Sequence, residues 1–397
     1  MRIYVHDYAG HPFQVQLSRA LAARGHHVRH GYSSTNLTPQ GALARREGDP
    51  ETFEPDPIAL ARPVDKTALS LGGLVRRRQA ERAYGTALVR HAEAFAPDVV
   101  LAANTPVDAL GPLQAWASRR GVRVVNWLQD ILSVGTDRVL RQRLPGVGGA
   151  VGRVYLARER RLLLAADAVV AITGGFRPLL ARWGVPAQRV HVIENWAPLE
   201  EMPPRPKDNP WSRRLGLHAK RVVLYAGTLG MKHNPRLLLS LAERLEREPD
   251  ARLVVVSEGA GAEWLRAQGP PANTVLLPFQ PFSDLPDVHG AADVLAAILE
   301  PDAGVYSVPS KVLSYLCAAR PVLLAVPPEN LAAEIVRRER AGVVVPPTAT
   351  SAFGIEGERL LGDAEARRAM AARARAYAEE TFDIEAITDR FGPILAG

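Results

Sequence analysis

Arg221-Val222-Val223-Leu224-Tyr225-Ala226-Gly227-Thr228-Leu229-Gly230-Met231-Lys232-His233-Asn234-Pro235 holds an apolar run, a turn with two glycines, and the approach to a helical pattern. An unbroken apolar run without polar alternation marks a strand covered on both faces, as in a parallel sheet. Glycines after such a strand let the backbone come close to a ligand, and a helix N-terminus beyond them favours an anion. Lys232 is long enough to reach a phosphate there. The loop is not a Walker A loop, because G-x-x-x-x-G-K-[ST] is absent. Taken alone, it also reads as a plain strand-to-helix turn with a solvated lysine.

The same alternation extends in both directions. Downstream, residues 252–256, 275–277, 294–297, 321–325 and 342–345 read as strands, and residues 363–395 as helix. Upstream, residues 2–5, 27–30, 98–102, 122–126, 168–172 and 190–193 read as strands. Strands alternating with helices predict an α/β chain with two doubly wound parallel sheets. Between them, Met202-Pro203-Pro204-Arg205-Pro206-Lys207-Asp208-Asn209-Pro210 has four prolines in nine residues and reads as a linker. The expected domains are residues 1–200, residues 203–380, and a helix at 381–397 returning to the first domain. Open α/β sheets bind ligands beyond the carboxyl ends of their strands. Two such sheets facing across a cleft suit a two-substrate reaction that excludes water.

Composition narrows the class. A single cysteine, Cys317, excludes an intrachain disulfide and a cysteine-rich zinc site, and fits a reducing compartment. Met1-Arg2-Ile3-Tyr4-Val5-His6-Asp7 has no apolar signal core, and no run approaches the ~18 apolar residues of a membrane span. A cytoplasmic location, in solution or at the inner face of the plasma membrane, is the expectation. The net charge of +7 favours anionic partners, or reflects the arginine-rich composition of a GC-rich genome. Leucines and arginines share the stretch Leu69-Ser70-Leu71-Gly72-Gly73-Leu74-Val75-Arg76-Arg77-Arg78, which continues through Arg82 and Arg90. That pattern fits a helix lying on anionic lipid, and equally a solvated helix face. No nucleic-acid module is present and aromatic interleaving is sparse, so nucleic acid is not an expected partner. No G-x-G-x-x-G follows a strand, which sets aside a nicotinamide oxidoreductase.

Two further loops carry polar groups at strand ends. Val256-Ser257-Glu258-Gly259-Ala260-Gly261 reads as a turn whose backbone could face a ligand. Glu300-Pro301-Asp302-Ala303-Gly304-Val305-Tyr306-Ser307-Val308-Pro309-Ser310-Lys311 leads into a helix with Ser310 as its expected N-cap. Lys311 in the first turn opposes the helix dipole, an arrangement that an anion would relieve.

In this order, the loops of the second half resemble the donor domain of glycosyltransferase family 4, which has the GT-B fold of two Rossmann-like domains. The strongest match is Ser310-Lys311-Val312-Leu313-Ser314-Tyr315-Leu316-Cys317-Ala318-Ala319-Arg320-Pro321-Val322, similar to bacterial exopolysaccharide and O-antigen transferases with a Pro-Ser-Lys motif. Weaker matches in the first half lie at residues 166–173 and 192–196.

The resemblance implies a UDP- or GDP-sugar donor, retention at the anomeric carbon, and neither cofactor nor essential metal, with cations neutralising the leaving diphosphate. It carries the loop lysine onto Lys232, beside Gly227. Thr228 stands where an arginine is usual, and Lys311 is the substitute charge. Of two glutamates eight residues apart in the family, the first matches Glu300 or Asp302, and the second falls on Ser314, which is not acidic. The backbone of Ala303, Gly304 and Val305 matches the stretch that faces the donor sugar, with Glu258 and Ser310 in neighbouring loops. In the first half, Gln129 and Asp130 match the Gln-Asp pair of the Pro-Ser-Lys subgroup, where other members often carry a histidine. Asp130 could orient the acceptor hydroxyl, take its proton, or simply cap the next helix. Gly10 is the one glycine left where a Gly-Gly loop is usual, and His6 and His11 beside it read as loop histidines. The implied activity is glycosyl transfer to a lipid-linked or other saccharide. A nucleotide-sugar epimerase and a non-catalytic nucleotide-sugar-binding subunit are the rival readings.

Overall fold

Strands form where β-branched and aliphatic residues run together, and helices where apolar residues recur every three to four positions. The computed structural model describes residues 1–35, 40–59, 71–230, 233–301, 304 and 306–397. Lys232, Asp302, Ala303, Val305 and Leu69 therefore lie outside the described residues. The chain divides into two units, residues 1–194 with 384–397, and residues 195–383.

Unit 1 runs β1 (Arg2–Asp7), α1 (Pro12–Ala23), β2 (His27–Ser33), β3 (Phe53–Ile58), α2 (Leu71–Phe95), β4 (Val99–Ala103), α3 (Val107–Arg120), β5 (Arg123–Leu128), α4 (Leu132–Arg143), α5 (Gly148–Ala165), β6 (Ala168–Ala171), α6 (Arg177–Trp183) and β7 (Val190–Val192). Its sheet has seven parallel strands in the order β3-β2-β1-β4-β5-β6-β7. β1 and β4 are almost wholly buried, which explains their unbroken apolar character. Strand order reverses between β1 and β4, the place where open α/β sheets bind ligands.

Unit 2 runs α7 (Pro210–Arg214), β8 (Arg221–Ala226), α8 (Pro235–Leu245), β9 (Ala251–Val256), α9 (Ala260–Ala267), β10 (Thr274–Leu277), α10 (Leu285–Gly290), β11 (Val294–Ile298), α11 (Lys311–Cys317), β12 (Val322–Ala325), α12 (Leu331–Arg338), β13 (Gly342–Val345), α13 (Thr350–Gly362) and α14 (Ala364–Thr381). Six parallel strands order as β10-β9-β8-β11-β12-β13, with the reversal between β8 and β11. On α8, Leu237, Leu238, Leu241 and Leu245 are fully buried against this sheet. Each contributes roughly 1.5–3 kcal/mol of apolar burial.

The last helix, α15 (Ile384–Ala396), belongs to unit 1. Phe391 stacks edge-on against Trp127 of β5 at 4.9 Å between ring centres. Arg24, just beyond α1, reaches Glu385 and Asp389 at 2.9 and 2.7 Å.

One reading from the sequence is corrected here. The proline-rich stretch is no free linker but a strap fastened to unit 2. Arg320 donates to the Arg205 carbonyl at 2.8 Å, Lys207 pairs with Asp293, and Asn209 makes a capping box with Ser212 at the start of α7. Prolines prevent regular structure there, so side chains satisfy the backbone instead. Of the leucine- and arginine-rich stretch from residue 69 to residue 90, Leu69, Ser70 and the Leu71 side chain lie outside the described residues. Its two described leucine side chains, Leu74 and Leu88, are buried, and Leu88 joins the core with Tyr84. Three arginines, Arg78, Arg82 and Arg158, surround the buried Asp108 at 3.4, 3.9 and 3.0 Å. Among the described residues, no helix is long and apolar enough to cross a membrane.

Candidate functional site

At the strand reversal of unit 2, β8 ends in Gly227, held at φ +121°. Only glycine adopts that backbone freely, and a Cβ there would stand 3.0 Å from Cε and 3.1 Å from Nζ of Lys311. The lysine ammonium donates to the Tyr225 hydroxyl and lies 3.7 Å from the centre of that ring. Tyr225 in turn donates to the Thr228 carbonyl at 2.9 Å. What brings Lys311 here is Tyr315, one turn along α11 and so on the same face. Its buried hydroxyl accepts from the Ala226 amide at 3.0 Å and donates to the Ala226 carbonyl at 3.1 Å, locking α11 to the end of β8. Burial pushes the Tyr315 phenol above its usual range, so it stays neutral and can both donate and accept.

The neighbouring loops close on this point. Leu229 donates its amide to the Glu258 carbonyl at 3.2 Å, and Gly261 donates to the Leu229 carbonyl at 2.9 Å. The Glu258 side chain is exposed and accepts from the Phe279 amide at 3.3 Å. Glu300 is half-buried just beyond β11, and Ser314 is half-buried on α11. Asn330, fully buried, donates to the carbonyls of Gly304 at 2.7 Å and Ser307 at 2.8 Å. It thus holds Gly304, in the stretch expected to face a donor sugar, and Ser307 beyond it. Ser310 is exposed and already helical at φ −56°, ψ −25°, and its side chain caps nothing. The N-cap expectation for it is therefore corrected: a residue in helical conformation cannot turn its hydroxyl onto the first-turn amides.

Unit 1 gathers buried polar groups at its own reversal. His6 is wholly buried, with Nδ1 2.6 Å from Thr105 Oγ1 and Nε2 2.9 Å from Tyr84 Oη. Burial pushes its imidazole down to about 3, so it is neutral and structural. Asp7 is also buried. Burial alone would raise its carboxyl, but His11 beside it, followed by His30, holds it below the usual carboxylate range. Asp7 accepts from the amides of Ala9 and His11, and His11 Nδ1 stands 3.2 Å from Asp7 Oδ1. With the Gln14 amide oriented by its partners, it donates to Asp7 at 2.7 Å and accepts from Gln129 at 3.2 Å. A continuous relay thus ties the loop after β1 to the end of β5. Gly10 sits inside it at φ +78°, and the space a Cβ would need is taken by Leu43 and Gln40. Its glycine identity is explained by that packing.

Asp130 follows Gln129 and is half-buried. It does not provide the cap of α4. The amides of Leu132 and Ser133 donate instead to Glu159 of α5, at 3.2 and 2.9 Å, and the Ser133 hydroxyl joins them. Burial raises the Glu159 carboxyl to about 6; the Ser133 and Leu132 hydrogen bonds work against this, and the Asp130 charge adds to it. Asp130, Glu159, Gln129, Asn104, Thr105 and Asn126 line one recess, about 410 Å³ of space partly continuous with solvent. Asn104 holds φ +50° at its rim, a left-handed conformation that asparagine tolerates better than most residues. Asp7 and Glu159 were not singled out from the sequence. Nothing local marks Glu159, which looks like one more charge on an arginine-rich helix. Asp7 directly precedes the loop, and a buried carboxylate at a strand end is a signal that could have been read. Among the described residues, no group of His, Cys, Asp and Glu gathers as a metal cage.

The chain matches the glycosyl transferase 4-like domain over residues 11–196 and the glycosyl transferases group 1 domain over residues 220–363. It is 34% identical over 176 residues to a D-inositol 3-phosphate glycosyltransferase of Catenulispora acidiphila, covering 43% of this chain and 40% of that protein. It is 25% identical over 228 residues to a putative colanic acid biosynthesis glycosyl transferase, WcaI of Escherichia coli, covering 55% of each. The matches thus span about half the length of these relatives. Among solved structures, HepE of Anabaena in complex with UDP-glucose superimposes with a TM-score of 0.72 at 18% identity, covering 100% of this chain and 99% of that one. At that identity the likeness speaks for the fold. Two family models that between them take in both units, on two parallel sheets of this order, assign the chain to the GT-B glycosyltransferases of family 4.

Proposed function

We propose that this protein transfers a sugar, with retention at the anomeric carbon, from a nucleotide-diphosphate sugar to a saccharide acceptor. Unit 2 binds the donor and unit 1 the acceptor. The observation that carries this reading is the Lys311 ammonium beside Gly227 at the strand reversal of unit 2. A cation fixed against glycine backbone, where an open sheet binds ligands, suits a diphosphate. In the reaction Lys311 neutralises the charge that develops on the leaving diphosphate, acting as a preorganised electrostatic partner. Lys232 adds to that charge. Glu300 or Asp302 and the backbone of residues 303–305 meet the donor sugar, and Ser314 meets the nucleotide. Asp130 receives the acceptor hydroxyl and takes its proton, and Gln129, tied through Gln14 to Asp7, orients it.

A uridine nucleotide is supported by HepE of Anabaena, which was solved with UDP-glucose, and a cell-surface saccharide by the putative colanic acid role of WcaI. The acceptor is a lipid-linked saccharide, presented at the inner face of the plasma membrane, where the net charge of +7 favours an anionic surface. The Pro-Ser-Lys subgroup fits the placement of Lys311. A thermal-shift series over UDP-, GDP-, ADP- and dTDP-sugars tests the reading. A donor that binds only the folded state raises the melting temperature, by an amount set by its concentration over Kd. A rise with UDP- or GDP-sugars supports it. No rise with any of them, at concentrations up to the millimolar range, would refute it.

A further inference from the structure

Asp108 is a buried carboxylate in the first turn of α3, just past the carboxyl end of β4. Its two oxygens are already engaged. Oδ1 accepts from Nη1 of Arg158 at 3.0 Å, and Oδ2 accepts from the Tyr155 hydroxyl at 3.4 Å. Two more guanidinium groups nevertheless stand beside it, Arg78 at 3.4 Å and Arg82 at 3.9 Å, both from α2. Neither guanidinium donates a hydrogen bond to a described residue, and the two side chains stay 36% and 59% exposed. Glu81 does not relieve them, because it is paired with Arg77 at 2.7 Å. One negative charge thus gathers three positive ones, and the excess of two repels itself at this range. Arginines collected beyond the need of their carboxylate fit a second anion, which their N–H forks can grip in pairs.

The cluster adjoins the recess that holds Asp130. Val107 and Leu110, to either side of Asp108 on α3, line that recess, and so does Glu159, the residue after Arg158. Apolar side chains lie beside the cations as well. Val75 and Val154 are 56% and 48% exposed. Val75 is one turn before Arg78, and Val154 one turn before Arg158, so each shares a helix face with its arginine. A sugar carboxylate would neutralise one of the two excess charges and leave the valines bare. A phosphate carrying a hydrocarbon chain meets both the charge and the apolar surface. We propose that Arg78, Arg82 and Arg158 bind the phosphate through which the acceptor saccharide is joined to its lipid, with Val75 and Val154 against the start of the chain. The proposal rests on the reading that unit 1 binds a lipid-linked acceptor, and it names the group by which that acceptor is held.

The experiment uses the full chain saturated with UDP, so that the diphosphate site of unit 2 is filled. Calorimetry then compares farnesyl phosphate, inorganic phosphate and farnesol, each below the concentration at which the lipids aggregate. Farnesyl phosphate is expected to bind at least about tenfold more tightly than either of the others, the scale of one charge-assisted contact. The double variant Arg78→Gln/Arg82→Gln keeps the hydrogen bond between Arg158 and Asp108, and is expected to lose that binding at least about tenfold with the UDP thermal shift unchanged. Arg82→Gln alone, at the most exposed of the three, serves if the double variant does not fold, and is expected to weaken farnesyl phosphate without moving UDP. Arg368→Gln/Arg373→Gln, which removes the same charge from exposed positions on α14 of unit 2, is expected to change nothing. Equal binding of inorganic phosphate overturns the lipid assignment, and equal binding of farnesol overturns the phosphate assignment. Binding that survives the substitutions on α2, or that falls equally in the α14 variant, overturns the site. If UDP binds and farnesyl phosphate does not, this site alone has failed. If neither binds, the donor and acceptor reading falls with it.

Discussion

Glu159 is where the structure makes its most quantitative claim. Its carboxyl is buried in unit 1, receives the first-turn amides of α4, and is raised from 4.5 to about 6. A shift of that size corresponds to about 2 kcal/mol of pH-dependent stability. The sign follows from which state holds the proton more tightly. The folded state does, so the stabilisation is fully present below pH about 4.5 and is lost as the pH rises through about 6. Glu159→Gln cannot ionise. Its amide will also fit poorly against backbone N–H donors, but that cost does not change with pH. The unfolding free energy of the parent minus that of Glu159→Gln should therefore fall by about 2 kcal/mol between pH 4 and pH 7. Urea titrations read by tryptophan fluorescence measure it, with hydrogen exchange over residues 132–165 identifying the transition of unit 1. Because the Asp130 charge helps raise Glu159, Asp130→Asn should move the titration back toward 4.5. A difference that stays flat or grows with pH would show that Glu159 ionises normally and that burial does not raise its carboxyl.

Two further outcomes follow from the same geometry. Lys311→Met should weaken UDP binding at least tenfold, the scale of a lost charge-assisted contact of ~1.5–3 kcal/mol. Calorimetry checks this, and unchanged affinity would remove Lys311 from the donor site. Asp130→Asn should cut turnover by roughly 10²–10⁴ with UDP affinity unchanged. The helix-capping role belongs to Glu159, so a large fall in melting temperature with full activity would contradict both assignments.

Much of the fold was legible in the sequence because its strands are continuously apolar and its helices periodic, and both patterns are local. The strand at Phe53–Ile58 was not, since its Phe-Glu-Pro-Asp-Pro-Ile stretch carries two prolines and two carboxylates. It exists because it pairs only with β2 at the sheet edge, where prolines are tolerated, and because Tyr4 donates to its Asp56 at 2.7 Å. In the site, the position of Lys311 at the head of a helix could be read from Pro309-Ser310-Lys311. That it folds onto Gly227 could not, because Tyr315 sets this by gripping Ala226, 89 residues away along the chain.

By itself, then, the sequence determined the element types, the two-sheet architecture and the loops at the strand ends. These depend on side-chain polarity repeating over a few neighbouring residues, which any window of the chain displays. The tertiary structure alone decided which polar groups are buried and who satisfies them: Asp7 holding His11 and Gln14, Glu159 capping α4, Arg320 and Asn209 fastening the proline-rich strap, Asn126 left unpaired. Such pairings join residues far apart in the chain, and burial, which gives them their energy, comes into being only when the sheets and helices have packed.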